Sequence, residues 1–361
     1  MEPVAIISFT RRGDALAHRL AEMLKQDGED AVCVSKCRHA ESYTPVPLAE
    51  FTGACFEKQQ GMIFVGAAGI AVRSIAPYVK DKLRDPFVIV MDEAGQYVIP
   101  ILSGHIGRAN EYARRLAAFC EAQAVITTAT DVNGCFAADL FAQKNNCAIG
   151  SREGIVQVSS AVLEKKQITV RWQDRYAVLS PEGNVLRTGR FAEDGCDMEK
   201  RQEGQADCSL ADIIISPFES DRGKGTLWLI PRCICVGSGC RRGKTADEIL
   251  AVIRECLKEH QTAPQAVCAL ASIDRKKDEE GLIQAARAFG TELITFSEEE
   301  LRQVPGTFQG SDFVRQTVGI DNVCARAAVA ASQGTLVADK YAKNGVTAAI
   351  AQRKWGISFE K

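Results

Sequence analysis

Leu102-Ser103-Gly104-His105-Ile106-Gly107-Arg108-Ala109-Asn110 joins two segments of different period. Before it, Tyr97-Val98-Ile99-Pro100-Ile101 is an apolar run that reads as a strand. After it, residues 111–120 have the amphipathic spacing of a helix. Gly104 and Gly107 allow a tight turn and a close approach to the backbone. The amides that open the following helix suit an anion. A hydroxyl, an imidazole, a guanidinium and an amide sit in this one turn, in a chain with 4 histidines. A Gly-rich connection with a solvated histidine would have the same residue types.

The strand–turn–helix alternation continues on both sides. Residues 4–9 read as a buried strand, followed by a helix to about residue 25 with Leu16, Leu20, Met23 and Leu24 on one face. Residues 31–34 form a short strand and 38–47 a polar loop. A helix over 51–58 leads to a strand over 61–65. That strand enters Gly66-Ala67-Ala68-Gly69-Ile70-Ala71-Val72-Arg73, a small-residue turn into another helix. Gly66 and Gly69 serve either an anion or close helix–strand packing, and Arg73 falls in the helix's first turns. The spacing is not the dinucleotide fingerprint, which needs a third glycine. Residues 86–91 and 97–101 read as paired strands around Asp92-Glu93-Ala94-Gly95. Residues 124–127 form a strand ending in Thr128-Ala129-Thr130-Asp131-Val132-Asn133-Gly134. Asp131 or Asn133 is expected to cap the next helix, leaving the other to face a ligand.

A helix over 151–166 and strands at 168–172, 213–218 and 227–230 follow, with an apolar-poor, exposed excursion over 187–208. Then the pattern restarts. Residues 233–236 form a strand, Gly237-Ser238-Gly239-Cys240-Arg241-Arg242-Gly243-Lys244-Thr245 a loop, and the next helix reaches residue 259. Further strands at 266–273, 292–296, 335–338 and 346–351 alternate with helices. Such alternation specifies an α/β protein: two Rossmann-like lobes, each a mainly parallel sheet in a three-layer α/β/α sandwich. The expected division is an N-terminal lobe over 1–225, with a core over 1–150 and a middle segment over 151–225, and a C-terminal domain over 226–361. Ligands belong at the carboxyl ends of the strands, where each motif above lies.

With 46% apolar and 25% charged residues in 361, the composition is that of a globular protein. A net charge of −2 gives no basic field for nucleic acid. No apolar run reaches the ~18 residues of a membrane span, and the N-terminus goes straight into a strand, so a cytoplasmic location is expected. The 14 cysteines show no Cys-x-x-Cys, which argues for reduced thiols and against a protein-bound metal.

Gly243-Lys244-Thr245 imitates the end of a phosphate-binding loop, but position 238, where the first glycine belongs, is Ser. ATP hydrolysis is therefore not expected. What remains is a loop with Gly237, Gly239, Arg241, Arg242 and Lys244, next to a second cationic loop, Arg275-Lys276-Lys277. Two such loops at adjacent strand ends imply a polyanionic small molecule. His105 is the one plausible acid–base centre, with Ser103 as a turn or binding residue. No Gly-x-Ser-x-Gly elbow supports a serine hydrolase.

Three of these motifs (66–73, 102–110 and 128–131) resemble the N-terminal part of the cobalt-precorrin-5A hydrolase family of anaerobic cobalamin biosynthesis. Residues 237–243, Ser272-Ile273-Asp274-Arg275-Lys276-Lys277-Asp278-Glu279 and Val318-Gly319-Ile320-Asp321-Asn322-Val323-Cys324 resemble its C-terminal domain, which also occurs alone in the aerobic pathway. Arg108 stands where the family usually has a second glycine. The resemblance implies opening of a δ-lactone on a cobalt-corrinoid and expulsion of the former bridging carbon as acetaldehyde. It also implies that the cobalt arrives with the substrate and that the protein supplies no cofactor or metal of its own. Within that chemistry His105 is expected as general base and then acid, Asn110 and the amides after Gly104 as oxyanion donors, and Asp131 as the group orienting the imidazole. Gly66, Gly69, Arg73, Ser103, Gly104, Gly107, Thr130, Gly237, Gly239, Arg241, Arg242, Lys276 and Lys277 are the expected substrate contacts. The expected partner is the corrinoid, with contacts to other enzymes of the pathway and a homodimer compatible with the resemblance. The competing reading is a corrinoid carrier or scaffold without chemistry.

Overall fold

Strand β1 (Val4–Ser8) is buried along its whole length, and β3 (Met62–Val65) and β4 (Val88–Met91) likewise. Strands apolar on both faces need cover on both sides. In the computed structural model, which describes residues 2–81, 84–190, 211–309 and 322–360, they lie at the centre of a six-stranded sheet. The other elements around it are α1 (Arg11–Gln26), β2 (Ala31–Ser35), α2 (Leu48–Glu57), α3 (Ala68–Ile75), β5 (Tyr97–Leu102), α4 (Ala109–Cys120), β6 (Gln123–Ala124) and α5 (Ala129–Val132). The strand order is β2-β1-β3-β4-β5-β6. Alternate residues face opposite sides. Ile6, Ile63 and Ile89 pack against Leu16, Leu20 and Leu24 of α1 and Tyr112 and Leu116 of α4. Ile7, Phe64 and Val90 pack against Cys55 of α2 and Ala71 and Ile75 of α3. This is the expected three-layer α/β/α arrangement.

β4 and β5 pair antiparallel, Val88 opposite Leu102 and Met91 opposite Val98. All other pairings in this sheet are parallel, so β5 with β6 runs against the remaining four strands.

This sheet belongs to the first of two compact units, Met1–Cys135; the second is Phe136–Lys361. The second unit continues with α6 (Ala138–Lys144), β7 (Cys147–Ile149), α7 (Arg152–Leu163), β8 (Ile168–Trp172), β9 (Arg175–Leu179), β10 (Val185–Arg190), β11 (Ala211–Ile215) and β12 (Gly225–Pro231). Then come β13 (Ile234–Cys240), α8 (Ala246–Glu259), β14 (Val267–Ile273), α9 (Glu280–Ala288), β15 (Leu293–Phe296), α10 (Glu298–Gln303), α11 (Val323–Ser332), β16 (Thr335–Lys343) and β17 (Val346–Gln352). They form two sheets, ordered β10-β9-β8-β11-β12-β7 and β15-β14-β13-β17-β16. In the first, β8, β11 and β12 run parallel at the middle with antiparallel strands on both sides; in the second, β15, β14 and β13 are parallel and β17 and β16 join antiparallel. The expected boundary at 225/226 falls at the first residues of β12, whose neighbour β11 precedes it. Of the exposed excursion over 187–208, residues 187–190 are the exposed end of edge strand β10, and the rest lies outside the described residues. The Val318-Gly319-Ile320-Asp321 part of the C-terminal motif also lies outside them. No helix among the described residues is long and apolar enough to cross a membrane.

Two local expectations change. β13 continues through Cys240 instead of ending at residue 236, because β17 pairs with it along its whole length, from Ile234–Gln352 to Cys240–Val346. Asp131 and Asn133 cap no following helix. Asp131 lies inside α5, and Asn133 closes it, its side-chain amide donating to the Ala129 carbonyl.

Candidate functional site

The antiparallel course of β5 decides which motifs meet. Residues 103–110 leave β5 beside the start of β4, where the Ser103 hydroxyl donates to the Asp85 carbonyl (2.8 Å). Residues 66–73 leave β3 at the opposite edge of the same sheet. Gly66, Gly69 and Arg73 are thus not brought to His105. Instead the Arg73 guanidinium folds back over Gly69, 3.4 Å from where a Cβ would stand, and a side chain at Gly66 would strike the Phe9 ring.

β6 runs parallel to β5, so residues 128–131 arrive at the same edge as the histidine loop. There the loop closes on itself. The amides of Arg108, Ala109 and Asn110 donate to the carbonyls of His105, Ser103 and Gly104. A side chain on Gly107 would lie 2.5 Å from Ser103 Cβ, and one on Gly104 would lie 2.9 Å from Asn110 Oδ1. Both glycines are therefore steric requirements of the turn. Among the described residues, the Gly104 and Gly107 amides donate to no protein acceptor.

At the centre, His105 Nε2 and Asp131 Oδ2 are 2.6 Å apart, and each side chain is 12% exposed. Asn110, at the start of α4 and 4% exposed, donates both amide hydrogens inward, to Asp131 Oδ2 (2.9 Å) and Thr128 Oγ1 (3.1 Å). One helical turn later, Arg114 Nη2 donates to Asp131 Oδ1 at 2.5 Å. Burial pushes the Asp131 carboxyl up, but the bonds and charges of Arg114 and His105 outweigh it and hold the group below the usual carboxylate range. An ionised Asp131 only accepts, so the imidazole carries its proton on Nε2 and Nδ1 is the basic nitrogen. Thr130 is 7% exposed, and its hydroxyl has no hydrogen-bond partner among the described residues.

Arg108 points elsewhere. It holds φ +67° just before α4, a left-handed position that favours glycine. Its guanidinium forks onto Glu111 (2.6 and 2.9 Å) and lies 5.3 Å from the Tyr112 ring centroid. Tyr112 stacks on Phe87 and donates to Glu29, which anchors α4 beneath the loop.

In the second unit, Gly239, Arg241 and Lys276 line one cavity of about 480 Å³, while Arg242 and Lys277 are exposed and off its wall. Gly237 is buried in β13, where a Cβ would collide with the Cys324 carbonyl of α11. It serves helix–strand packing. The phosphate-loop look-alike is spoken for: Thr245 caps α8 in a capping box with Glu248, and Lys244 pairs with the same Glu248 (2.7 Å).

Sequence reasoning missed Arg114 and Thr128, although Asn110 and Arg114 stand at the i, i+4 spacing that shares a helix face. It also missed Lys340 and Lys343, which line the same cavity.

Residues 50–131, 136–231 and 234–351 match families described as cobalamin synthesis G N-terminal, cobalamin biosynthesis central region and cobalamin synthesis G C-terminus. A cobalt-precorrin-5A hydrolase from Salmonella typhimurium is 36% identical over 96% of this chain and 96% of its own length. The chain belongs to the cobalamin synthesis G family. A second member, a cobalt-precorrin-5A hydrolase from Priestia megaterium, is 32% identical over 96% of this chain and 94% of its own length. A solved cobalamin biosynthesis protein G homolog from Sulfolobus solfataricus is 22% identical, covers 98% of this chain and 97% of its own, and aligns with a TM-score of 0.37. The N-terminal match of the cobalamin synthesis G family ends at residue 131, so it takes in the whole His105–Asn110–Asp131 cluster.

Proposed function

We infer that this chain hydrolyses cobalt-precorrin-5A to cobalt-precorrin-5B, opening the δ-lactone and releasing acetaldehyde. The observation that carries the reading is the 36% identity, over 96% of both chains, to a relative named for that hydrolase. The His105 centre supports it as a place for acyl chemistry. His105 Nδ1 takes a proton from water as the oxygen attacks the lactone carbonyl. The tetrahedral oxyanion rests on the uncommitted Gly104 and Gly107 amides, since both Asn110 amide hydrogens hold Asp131 and Thr128. Collapse breaks the ring C–O bond, and the imidazolium returns its proton to the leaving alkoxide. Deprotonation of that hydroxyl then lets the C–C bond break. The carbonyl fragment departs as acetaldehyde, and the electron pair passes into the macrocycle, which takes up the proton. Asp131 keeps the imidazole in the required tautomer and offsets its charge. The buried Thr130 hydroxyl donates to the substrate. The cobalt belongs to the substrate, and the protein works in the cytoplasm on a free corrinoid.

Purified protein given cobalt-precorrin-5A should release one acetaldehyde per substrate consumed. Release no faster than the uncatalysed reaction would leave the carrier reading in its place.

A further inference from the structure

We propose that Cys268 and Cys235 form a dithiol site that hydrogen peroxide oxidises to a reversible disulfide. The site goes beyond the hydrolase reading and uses none of its residues.

An irregularity in the C-terminal sheet places the pair. β13 and β14 run parallel, with Ile234 opposite Val267 but Cys235 opposite Ala269. The register thus skips one residue of β14, and that residue is Cys268. The Thr291 hydroxyl donates to its carbonyl (2.9 Å) and fixes the backbone there. The sulfur of Cys268 comes within 3.8 Å of Cys235 Sγ. Neighbouring strands lie ~4.8 Å apart, inside the Cα range of about 4.4–6.8 Å that a disulfide spans. The bond of about 2.0 Å therefore closes by side-chain rotation, with both strands in place. These residues stand at the amino ends of β13 and β14, whereas the cavity of about 480 Å³ lies at the carboxyl ends of the same strands.

The two thiols differ in a way that divides the chemistry between them. Cys235 is 0% exposed, and Cys268 is half-buried. Arg232 lies against the start of β14, donating to the carbonyls of Val267 and Phe289 (both 3.0 Å). Arg353, just after β17, donates its amide to the Cys233 carbonyl (2.8 Å). The hydrogen bond with Cys235 and the charges of Arg353 and Arg232 outweigh burial and hold the Cys268 thiol below its ordinary value. Burial instead pushes Cys147, Cys233 and Cys256 up to about 12. Oxidants select the accessible thiol with most thiolate character. Cys233 is 1% exposed, and its sulfur takes the Gln352 side-chain amide (3.9 Å), which leaves Cys235 as the second thiol.

The Cys268 thiolate attacks one peroxide oxygen and the O–O bond breaks. The departing hydroxide takes a proton from solvent, leaving Cys268 as the sulfenic acid. Cys235 then attacks the Cys268 sulfur, the S–O bond breaks, and the oxygen leaves as water with the Cys235 proton. Two thiols and one peroxide yield one disulfide and two waters.

The test treats full-length native protein with one equivalent of hydrogen peroxide, alkylates the remaining thiols and maps the tryptic peptides by mass spectrometry. The peptide over 259–275 should be joined to the peptide over 233–241, with fragment ions placing the bond at Cys235, and dithiothreitol should release both. Cys233→Ala should give the same bond. Cys235→Ala should instead give a dimedone adduct on Cys268, and Cys268→Ala should lower thiol loss by about tenfold or more. A bond to Cys233 or Cys240, or a Cys268 that stays free while other thiols oxidise, would overturn the proposal. The wild-type map decides this even where a core alanine prevents folding.

Discussion

Asp131→Asn changes no heavy-atom count, yet it should remove most of the activity. Three donors converge on this carboxylate: His105 and Asn110 at Oδ2 (2.6 and 2.9 Å) and Arg114 at Oδ1 (2.5 Å). An asparagine offers one acceptor oxygen, so its NH₂ must face either the His105–Asn110 pair or Arg114. Facing the pair, it sets donor against donor, and the imidazole moves its proton to Nδ1, where the base lone pair is needed. Facing Arg114, it removes the charge that favours the imidazolium. A charge-assisted bond of this kind contributes about 1.5–3 kcal/mol, and a positioned general base about 10²–10⁴-fold. At ~1.36 kcal/mol per decade, a loss of about 10²–10³-fold in kcat corresponds to ~2.7–4 kcal/mol. KM should stay within about threefold, because the carboxylate touches no substrate in this account. Acetaldehyde release coupled to NADH oxidation by alcohol dehydrogenase measures both constants. A folded Asp131→Asn enzyme with kcat within about threefold of wild type would refute the reasoning.

Arg114→Ala should lower kcat by only about three- to tenfold, since Arg114 is half exposed and its pair is screened; Arg114→Lys should recover most of that in the same assay. Arg108→Gly should keep turnover within about twofold, because the guanidinium serves Glu111 and Tyr112. Thermal unfolding should move little, as relief of the left-handed backbone (about 1 kcal/mol) offsets the lost pair. Acid should expose the depressed Asp131 carboxyl: its contribution to stability is complete above the unfolded value of about 3.9 and disappears as pH falls through the lower folded value. Melting curves between neutral pH and about pH 3 should thus fall less steeply for Asp131→Asn than for wild type, and parallel curves would contradict this assignment.

The α/β class was legible because buried strands with apolar runs alternate with amphipathic helices, and β1, β3 and β4 sit as that pattern requires. The Asp92–Gly95 turn also showed that the chain reverses before β5. Its consequence, that the 103–110 loop opens on the opposite edge from 66–73, depends on which strands β4 and β5 join in the sheet, and that is a non-local fact. The meeting of His105 with Asp131 rests on two strands running in parallel, 26 residues apart, which no local spacing encodes. Gly237 was misread for a related reason. A glycine at a strand end suits a ligand or a helix equally, and only the position of α11 decides. By contrast, Asn344-Gly345 between apolar runs carried a usable hairpin signal, and it would have brought Lys340 and Lys343 to the cationic loops.

His105 is the residue proposed to perform the proton transfers of cobalt-precorrin-5A hydrolysis. Single-turnover acetaldehyde release by His105→Gln, set against wild type at equal enzyme saturation, tests it most directly. The rate should fall by about 10²-fold or more, with substrate binding and thermal unfolding retained. Release at the wild-type rate by the folded variant would contradict it.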